Sequence, residues 1–270
     1  MNEFIPLLHA RRRPLPLQEI LRVQEVVRND STPSPRPSQE VVIDKFNLQM
    51  TYHTLECLGH AGPIENDIID FYMCLLQDRD KKLTELSSNY NRRSSHFFNC
   101  YFIMCLLPPN LGYNYNNVRR WTAGKKEMNP FLKDKIFMPA FYDENLIPSW
   151  AMIVIFMQLK EIHYYDSVSR PNVIEKYLKH VLQWLRDESL TKYNNEYNID
   201  SNEWQLFELE AMVPQQSRRN PPYFDSGMFS ILCADFVSDN IPLNDSYSQA
   251  EIPLYRQKVC ASILRGELNY

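Results

Sequence analysis

The 270-residue sequence lacks a long hydrophobic run and an excess of charge of either sign. Its strongest apolar segment, residues 150–157, has the length of a strand and is too short to cross a bilayer. The formal net charge is −4, so the composition indicates neither a nucleic-acid partner nor an anionic membrane. The 44% hydrophobic and 13% aromatic content is enough for one sizeable globular core.

Metal-binding and secretory signals are also missing from the sequence. The six cysteines form no CxxC pair and no Cys/His cluster, so we expect reduced core thiols, with no metal ion and no cofactor. The N-terminal segment MNEFIPLLHARRRPLP places its apolar residues before its basic cluster and has no small-residue cleavage site, which argues against a signal peptide. These features favour a protein of the nucleus, the cytoplasm or both.

Residues 1–40 differ in pattern from the rest of the chain. Residues 11–30 predict a short amphipathic helix, and residues 31–39 (STPSPRPSQ) are typical of a proline-rich linker. Three consecutive arginines, 11–13, fit a nuclear-import signal but are more often a solvated basic turn. The sequence therefore predicts an N-terminal appendage over 1–40 and a globular domain over 41–270. The apolar residues expected on one face of the helix are Leu17, Ile20, Leu21, Val23 and Val26.

The globular part interleaves strand and helix patterns without strict alternation, which favours an α+β fold. Proline in the first turn and an apolar stripe support a helix over 171–185, and residues 158–160 predict a tight turn between two strands. The predicted strands are 135–140, 150–157, 161–166 and 205–213; the predicted helices are 67–77, 171–185, 253–266 and one that begins at Ser226.

Ser226 stands at the head of an apolar helix, in the stretch DSGMF. A small nucleophile at a helix N-terminus is a familiar catalytic arrangement, because the helix dipole stabilises negative charge there. Serine is also favoured as a simple helix cap. The residue is therefore a nucleophile, the relic of one, or a cap.

Seven short blocks resemble, in order and spacing, the SUMO-specific cysteine proteases of the sentrin-specific protease family. The resemblance covers residues 42–268 and implies their papain-like α+β fold, in which helices flank a central mixed sheet. The blocks are ENDIIDFYMCLL (65–76), VRRWT (118–122), SW with the following apolar strand (149–157), YYDS (164–167), WQLF (204–207), VPQQ (213–216) and DSGMF (225–229).

The resemblance also implies a catalytic arrangement, of which this chain keeps two parts by identity. Family members use a cysteine nucleophile, a histidine base, an aspartate that orients the histidine, and a glutamine in the oxyanion hole. Asp166 stands at the aspartate position and Gln216 at the glutamine position. Ser149 stands at the histidine position and Ser226 at the cysteine position, and the connection from Gln216 to Ser226 is longer than in the family. The site is therefore predicted to be degenerate.

A serine nucleophile needs a positioned base, and the sequence offers no obvious one. His163 precedes Asp166 by an odd number of strand positions, so it is expected on the opposite face of the sheet. Asp143 and Glu144 are weak bases, because carboxylates have an unperturbed pKa near 4. Cys233 lies deeper on the same helix as Ser226 and is expected to be a buried structural thiol.

The positions that face SUMO in the family are altered as well. By resemblance, Trp150 matches one of two tryptophans that cover the SUMO tail, and Pro63 stands at the other. Asn66 replaces an acidic contact residue and Phe141 a histidine, whereas Arg120 keeps a basic contact position. Alternatively, Trp150 is only a core aromatic residue.

Three hypotheses follow from these residues. The leading one is a catalytically inactive SUMO-protease-like domain that acts as a protein-interaction module, with SUMO or another ubiquitin-like protein as candidate partner. The alternative is an active SUMO-specific cysteine peptidase whose natural cysteine is replaced by serine at position 226. The third is a structural adaptor that uses the helix in residues 14–30 to bind its partner.

Overall fold

A computed structural model of the chain describes residues 4–27, 39–59, 62–86, 93–122, 128–144, 147–167, 170–209, 224–244 and 246–268, without the side chains of residues 4–6, 143–144 and 147–148. Within this part, the helices are α1 (Phe4–Arg12), α2 (Leu17–Val26), α3 (Tyr52–Glu56), α4 (Asn66–Leu86), α5 (Tyr101–Leu106), α6 (Tyr115–Val118), α7 (Lys179–Lys192), α8 (Ser226–Ser238) and α9 (Ile252–Arg265). The strands are β1 (Val41–Lys45), β2 (Leu48–Thr51), β3 (His96–Phe97), β4 (Lys135–Glu144), β5 (Ile147–Phe156), β6 (Glu161–Asp166) and β7 (Gln205–Leu209).

Among the described residues, β3 to β7 form a mixed sheet in sequence order, and β1 and β2 form a separate hairpin. The central strand β5 is antiparallel to both of its neighbours, β4 and β6, whereas each edge strand, β3 and β7, is parallel to its neighbour. The mixed sheet with flanking helices confirms the predicted α+β fold.

The strand β5 has apolar residues on both faces because both faces are covered. Met152 and Val154 point into one core, together with α4, α8 and α9, whereas Ile153 and Ile155 point into a second core that contains Trp184 of α7. The sheet therefore separates two hydrophobic cores, and the residues at the ends of β5 and β6 lie where helices approach the sheet.

The predicted helices and strands of the globular part are observed, with shifts at their ends. The helix predicted over 171–185 begins as a π-helical segment, Ile174–Leu178, and continues as α7. The turn over 158–160 is present, with Lys160 at a φ of 54°, and α9 ends at Gly266, whose φ of 73° forms the helix C-cap. The strand predicted over 205–213 is observed over 205–209; residues 210–213 lie outside the described residues.

The N-terminal helices pack on the rest of the domain. Val23 and Val26 of α2 are buried, but Leu17 and Leu21 are 72% and 56% exposed. The prediction that the leucines and the valines of this helix share one face was wrong. At 100° per residue, Leu17 and Leu21 lie on the side of α2 opposite Val23 and Val26. Arg11 is buried, at 2% exposure, and is not part of a solvated turn.

Candidate active site

Ser226, Trp150 and Ser149 come together where α8 crosses the sheet. Ser226 is the first residue of α8, and its Oγ accepts a hydrogen bond of 3.1 Å from the backbone N–H of Trp150 in β5. Ser230, one turn later, donates to the carbonyl of Ala151, which fastens the helix along the same strand. Ser226 is 2% exposed and Ser149 is 1% exposed. Both serine hydroxyls are therefore held inside the protein.

Asp166 lies at the end of β6, beside β5, and its carboxylate is paired with an arginine. Asp166 Oδ2 accepts hydrogen bonds of 2.8 Å from Arg170 Nε and 2.8 Å from the Tyr164 hydroxyl. The Nη2 of the same guanidinium donates to Ser149 Oγ. Arg170 thus connects the predicted aspartate position to the predicted histidine position.

The surroundings of Arg170 favour its charged form. Its guanidinium carbon lies 4.6 Å from the centroid of the Tyr142 ring, a cation–π contact. Burial alone lowers the pKa of Arg170, but the attraction of Asp166 outweighs burial and raises that pKa overall. Burial also raises the pKa of the Tyr142 and Tyr164 hydroxyls well above the ordinary value, so both remain protonated. The group that faces Ser149 is therefore a cation without a proton-accepting atom.

Trp150 is a packed residue that fastens three elements together. Its indole Nε1 donates a hydrogen bond of 3.0 Å to the carbonyl of Ile64, and its ring lies 4.9 Å from that of Phe141 on β4. A Cβ at Gly227 would lie 2.5 Å from Ile64 Cβ and 3.1 Å from Trp150 Cδ1. Since Trp150 is only 3% exposed, it contributes to the core.

Asp225 is held by side chains from α9 and the turn before it. Its Oδ1 accepts from Arg256 Nη2 at 2.7 Å, and its Oδ2 accepts from Gln249 Nε2 at 2.8 Å. Arg256 also donates to the carbonyls of Cys57 and Gly62. These contacts fix the start of α8, and therefore Ser226, against α9.

The nearest histidine in sequence points away from the site, as expected. His163 forms ring-nitrogen hydrogen bonds with Glu161 at 2.8 Å and Tyr165 at 3.0 Å, on the face of β6 opposite Asp166. Burial lowers the pKa of His163, although Glu161 opposes the shift. The other described histidines are placed on different elements: His9 on α1, His53 on α3, His96 on β3 and His180 on α7; His60 lies outside the described residues.

Cys233 is a core residue. It is 1% exposed, and burial raises the pKa of its thiol well above the ordinary value. A protonated thiol at this depth has no route to act as a nucleophile. Within the described part of the chain, no group of three His, Cys, Asp or Glu residues is arranged to hold a metal ion.

The remaining predicted residues are spread around this site. Phe141 and Asn66 are half-buried, and Arg120 is exposed just after α6. Gln216 lies outside the described residues, as do the side chains of Asp143 and Glu144. The structure therefore brings together Ser149, Trp150, Asp166, Ser226 and Phe141.

Arg170 is the site residue that sequence reasoning missed. It follows Asp166 by four positions, after the end of β6, and belongs to none of the seven blocks. The spacing Asp-x-x-x-Arg was the available signal. It is weak, because such a spacing in a loop does not fix which way the arginine turns.

Residues 63–265 match the Ulp1 protease family, C-terminal catalytic domain. The chain is 29% identical over 233 residues to human Sentrin-specific protease 2, a match that covers 86% of this chain and 35% of that protein. It is 30% identical over 223 residues to Ubiquitin-like-specific protease 1A of Arabidopsis thaliana, covering 81% of this chain and 40% of that protein. The chain thus spans well under half the length of these relatives. No described helix has the length and apolar character required to cross a membrane.

Solved structures of Ulp1-type proteases have the same fold. The yeast Ulp1 protease domain in complex with Smt3 aligns with a TM-score of 0.72 at 21% identity, covering 94% of this chain and 97% of that one. The Chaetomium thermophilum Ulp1-like SUMO protease domain aligns with a TM-score of 0.68 at 20% identity, covering 96% and 92%. The fold and the matched residues confirm the resemblance seen in the sequence. The chain belongs to the Ulp1 protease family and is a domain of its C-terminal catalytic type.

Proposed function

We propose that this Ulp1-type domain is catalytically inactive and works as a protein-interaction module. The observation that carries the proposal is the state of Ser226: its hydroxyl is buried and accepts a hydrogen bond from the Trp150 N–H, and residue 149, the neighbour of Trp150 in β5, is a serine. Catalysis by a serine requires a neighbouring group that accepts its proton. Ser149 has no basic nitrogen, and the cation next to it cannot accept a proton.

The pairing of Asp166 supports the same proposal. In a triad the aspartate orients an imidazole and stabilises the imidazolium that forms during the reaction. Here the Asp166 carboxylate accepts from Arg170 and Tyr164, so its negative charge already has a partner. The aspartate of the family is retained at position 166, but its carboxylate forms an ion pair with Arg170.

We propose a ubiquitin-like protein, with SUMO first, as the partner. One family structure is a complex with Smt3, the yeast ortholog of SUMO. Arg120, at a basic contact position by resemblance, is exposed on this chain and available to an acidic partner surface. Asn66 and Phe141 differ from the family at two other contact positions, so binding through the globular face is favoured over threading of a tail. We place the protein in the nucleus, the cytoplasm or both.

An activity assay tests the first half of this proposal. The full chain, at high concentration, is incubated with SUMO precursors and SUMO–fluorophore conjugates, beside the Ser226→Ala and Ser226→Cys variants. We expect no turnover by the wild type. Turnover that disappears in Ser226→Ala would show an active enzyme and overturn the proposal. Turnover by Ser226→Cys alone would favour the alternative that position 226 is naturally cysteine.

A binding titration tests the second half. SUMO and ubiquitin are titrated against the full chain by calorimetry and NMR, with Arg120→Glu as the test variant. Arg119→Glu is the matched control, because Arg119 is the exposed neighbour of Arg120 and stands at no predicted contact position. We expect SUMO binding that Arg120→Glu weakens and Arg119→Glu leaves nearly unchanged. Equal effects of both variants, or no binding to SUMO, would contradict the assigned surface.

A further inference from the structure

We propose that Arg170 is a positioning residue that occupies the place of the missing imidazole and holds Asp166 and Ser149 together in a closed arrangement. This inference rests on the proposed function for the identity of positions 149 and 166. It goes further by naming the residue that took over the space, and by predicting that restoration of the histidine alone cannot rebuild a catalytic pair.

The geometry places the guanidinium between the two positions. Arg170 Nε donates a hydrogen bond of 2.8 Å to Asp166 Oδ2, and Arg170 Nη2 donates a hydrogen bond to Ser149 Oγ. In a triad, a histidine side chain at position 149 would reach toward the Asp166 carboxylate through this same space. The two groups therefore compete for one carboxylate oxygen and for one volume.

The ion pair also explains why the arginine stays in place. The Asp166 side chain is fully buried and that of Arg170 is 12% exposed. A buried carboxylate that loses its partner carries a large desolvation cost. With no imidazole N–H to donate to it, the Asp166 carboxylate accepts hydrogen bonds from Arg170 and Tyr164, and the Tyr142 ring covers the guanidinium. The Asp166 carboxylate and the Arg170 guanidinium therefore satisfy each other within the protein.

The test compares Ser149→His alone with Ser149→His/Arg170→Ala in the full chain, by NMR titration of the new imidazole. The charged and titratable groups around it are Asp166 and Tyr164 of β6, Tyr142 of β4 and Arg170. In the double variant, Asp166 has lost its arginine partner and pairs with the imidazolium, so the pKa of the new histidine rises. In the single variant, the guanidinium of Arg170 remains paired with Asp166 and repels the imidazolium. We expect the pKa of the new histidine to be at least about one unit higher in the double variant.

The control is Ser149→His/Arg186→Ala, which removes an exposed arginine of α7. The pKa of its new histidine is expected to equal that of the single variant. In Ser149→His/Arg170→Lys the pKa of the histidine is also expected to stay close to that of the single variant, because a cation is retained. An imidazole pKa that is equal with and without Arg170 would overturn the proposal. This outcome is independent of turnover by the wild type, so it is distinguishable from failure of the proposed function.

A second measurement covers the case in which the histidine variants do not fold. The urea midpoints of Asp166→Asn, Arg170→Met and the double variant form a thermodynamic cycle. We expect the double variant to lose less than the sum of the two single losses, since the second change removes a charge that the first left unpaired. Additive losses would show that the two side chains are not coupled and would overturn the proposal.

Discussion

At the scale of single residues, Gly227 limits what the start of α8 can accommodate. A Cβ at this position would lie 2.5 Å from Ile64 Cβ, a distance that requires movement of the packed chain. We therefore expect Gly227→Ala to destabilise the protein by about 1–3 kcal/mol, the usual cost of overpacking a core. Chemical denaturation at neutral pH measures this change.

Gly62→Ala is the matched control for Gly227→Ala. A Cβ at Gly62 would have no atom within 4 Å, so this change should cost little. Alanine within a helix otherwise gains about 0.5–1 kcal/mol over glycine. If Gly227→Ala were stabilising, the contact among Ile64, Gly227 and Trp150 would be looser than described.

His163 gives a pH dependence with a defined sign. Burial lowers its pKa in the folded protein below the ordinary value of 6.5, so the folded state disfavours the charged imidazole. Its contribution to stability is fully present above pH 6.5 and is lost as the pH falls through the folded-state pKa. We expect the wild type to lose more stability than His163→Gln between pH 7.5 and pH 5.

Urea midpoints of both proteins across this pH range check the prediction. His53→Gln serves as the control, because the His53 side chain is 60% exposed on α3. The difference in stability between the wild type and His163→Gln should narrow as the pH falls, and it should narrow by more than the difference between the wild type and His53→Gln. If the stability advantage of the wild type over His163→Gln grew as the pH fell, the assigned sign would be contradicted.

The site shows which single-residue features a sequence can predict. The apolar pattern predicts Ser226 at a helix start, and the resemblance to the family implies the role of the Asp166 position. The side-chain direction of Arg170 has no such signal, because it depends on a carboxylate, a hydroxyl and an aromatic ring that converge only in the folded protein.

At the scale of elements, α8 joins the candidate site to a buried charge cluster. Ser226 begins the helix, and near its other end Asp235 and Asp239 face two arginines. Arg11 Nη2 lies 2.8 Å from Asp235 Oδ1 and 2.5 Å from Asp239 Oδ2, and Arg79 Nη1 lies 2.6 Å from Asp235 Oδ1. The charges of two arginines and two aspartates cancel inside the protein, so each buried charge is stabilised by the others.

Removal of Arg11 leaves this cluster with one uncompensated negative charge. We expect Arg11→Met to destabilise the protein by about 3 kcal/mol, the lower end of the cost of a broken buried ion pair, since Arg79 still pairs with both aspartates. Arg13→Met is the control, because Arg13 is exposed on the same segment. Equal denaturation midpoints for the two variants would contradict the assigned role of Arg11.

Elements with a strong local pattern were predicted well, and elements that depend on distant partners were not. The strands over 150–157 and 161–166 and the helix over 253–266 follow from residue type and spacing, and they are observed with small shifts. The burial of Arg11 depends on Asp235 and Asp239, more than 200 positions away. A local pattern contains no signal for such a partner.

At the scale of the whole molecule, the N-terminal helices take part in the packing of the domain. Besides the burial of Arg11, Val23 and Val26, an ion pair links Glu19 of α2 to Arg265 of α9, and Lys258 donates to the carbonyl of Arg11. The partner-helix hypothesis would use the same segment, but in this structure its valine face already packs against the domain.

We therefore expect residues 4–27 to unfold together with the domain. Removal of residues 1–27 takes away two buried valines and uncovers the apolar surface against which they pack, and the burial of each valine contributes about 1.5–3 kcal/mol. It also removes Arg11 from the buried charge cluster. The full chain should show one thermal transition, and the shortened chain should melt at a clearly lower temperature. Calorimetry of both chains measures this. An unchanged transition in the shortened chain would instead support the division at residue 40 that the sequence predicts, because an independent appendage contributes nothing to the stability of the domain it precedes.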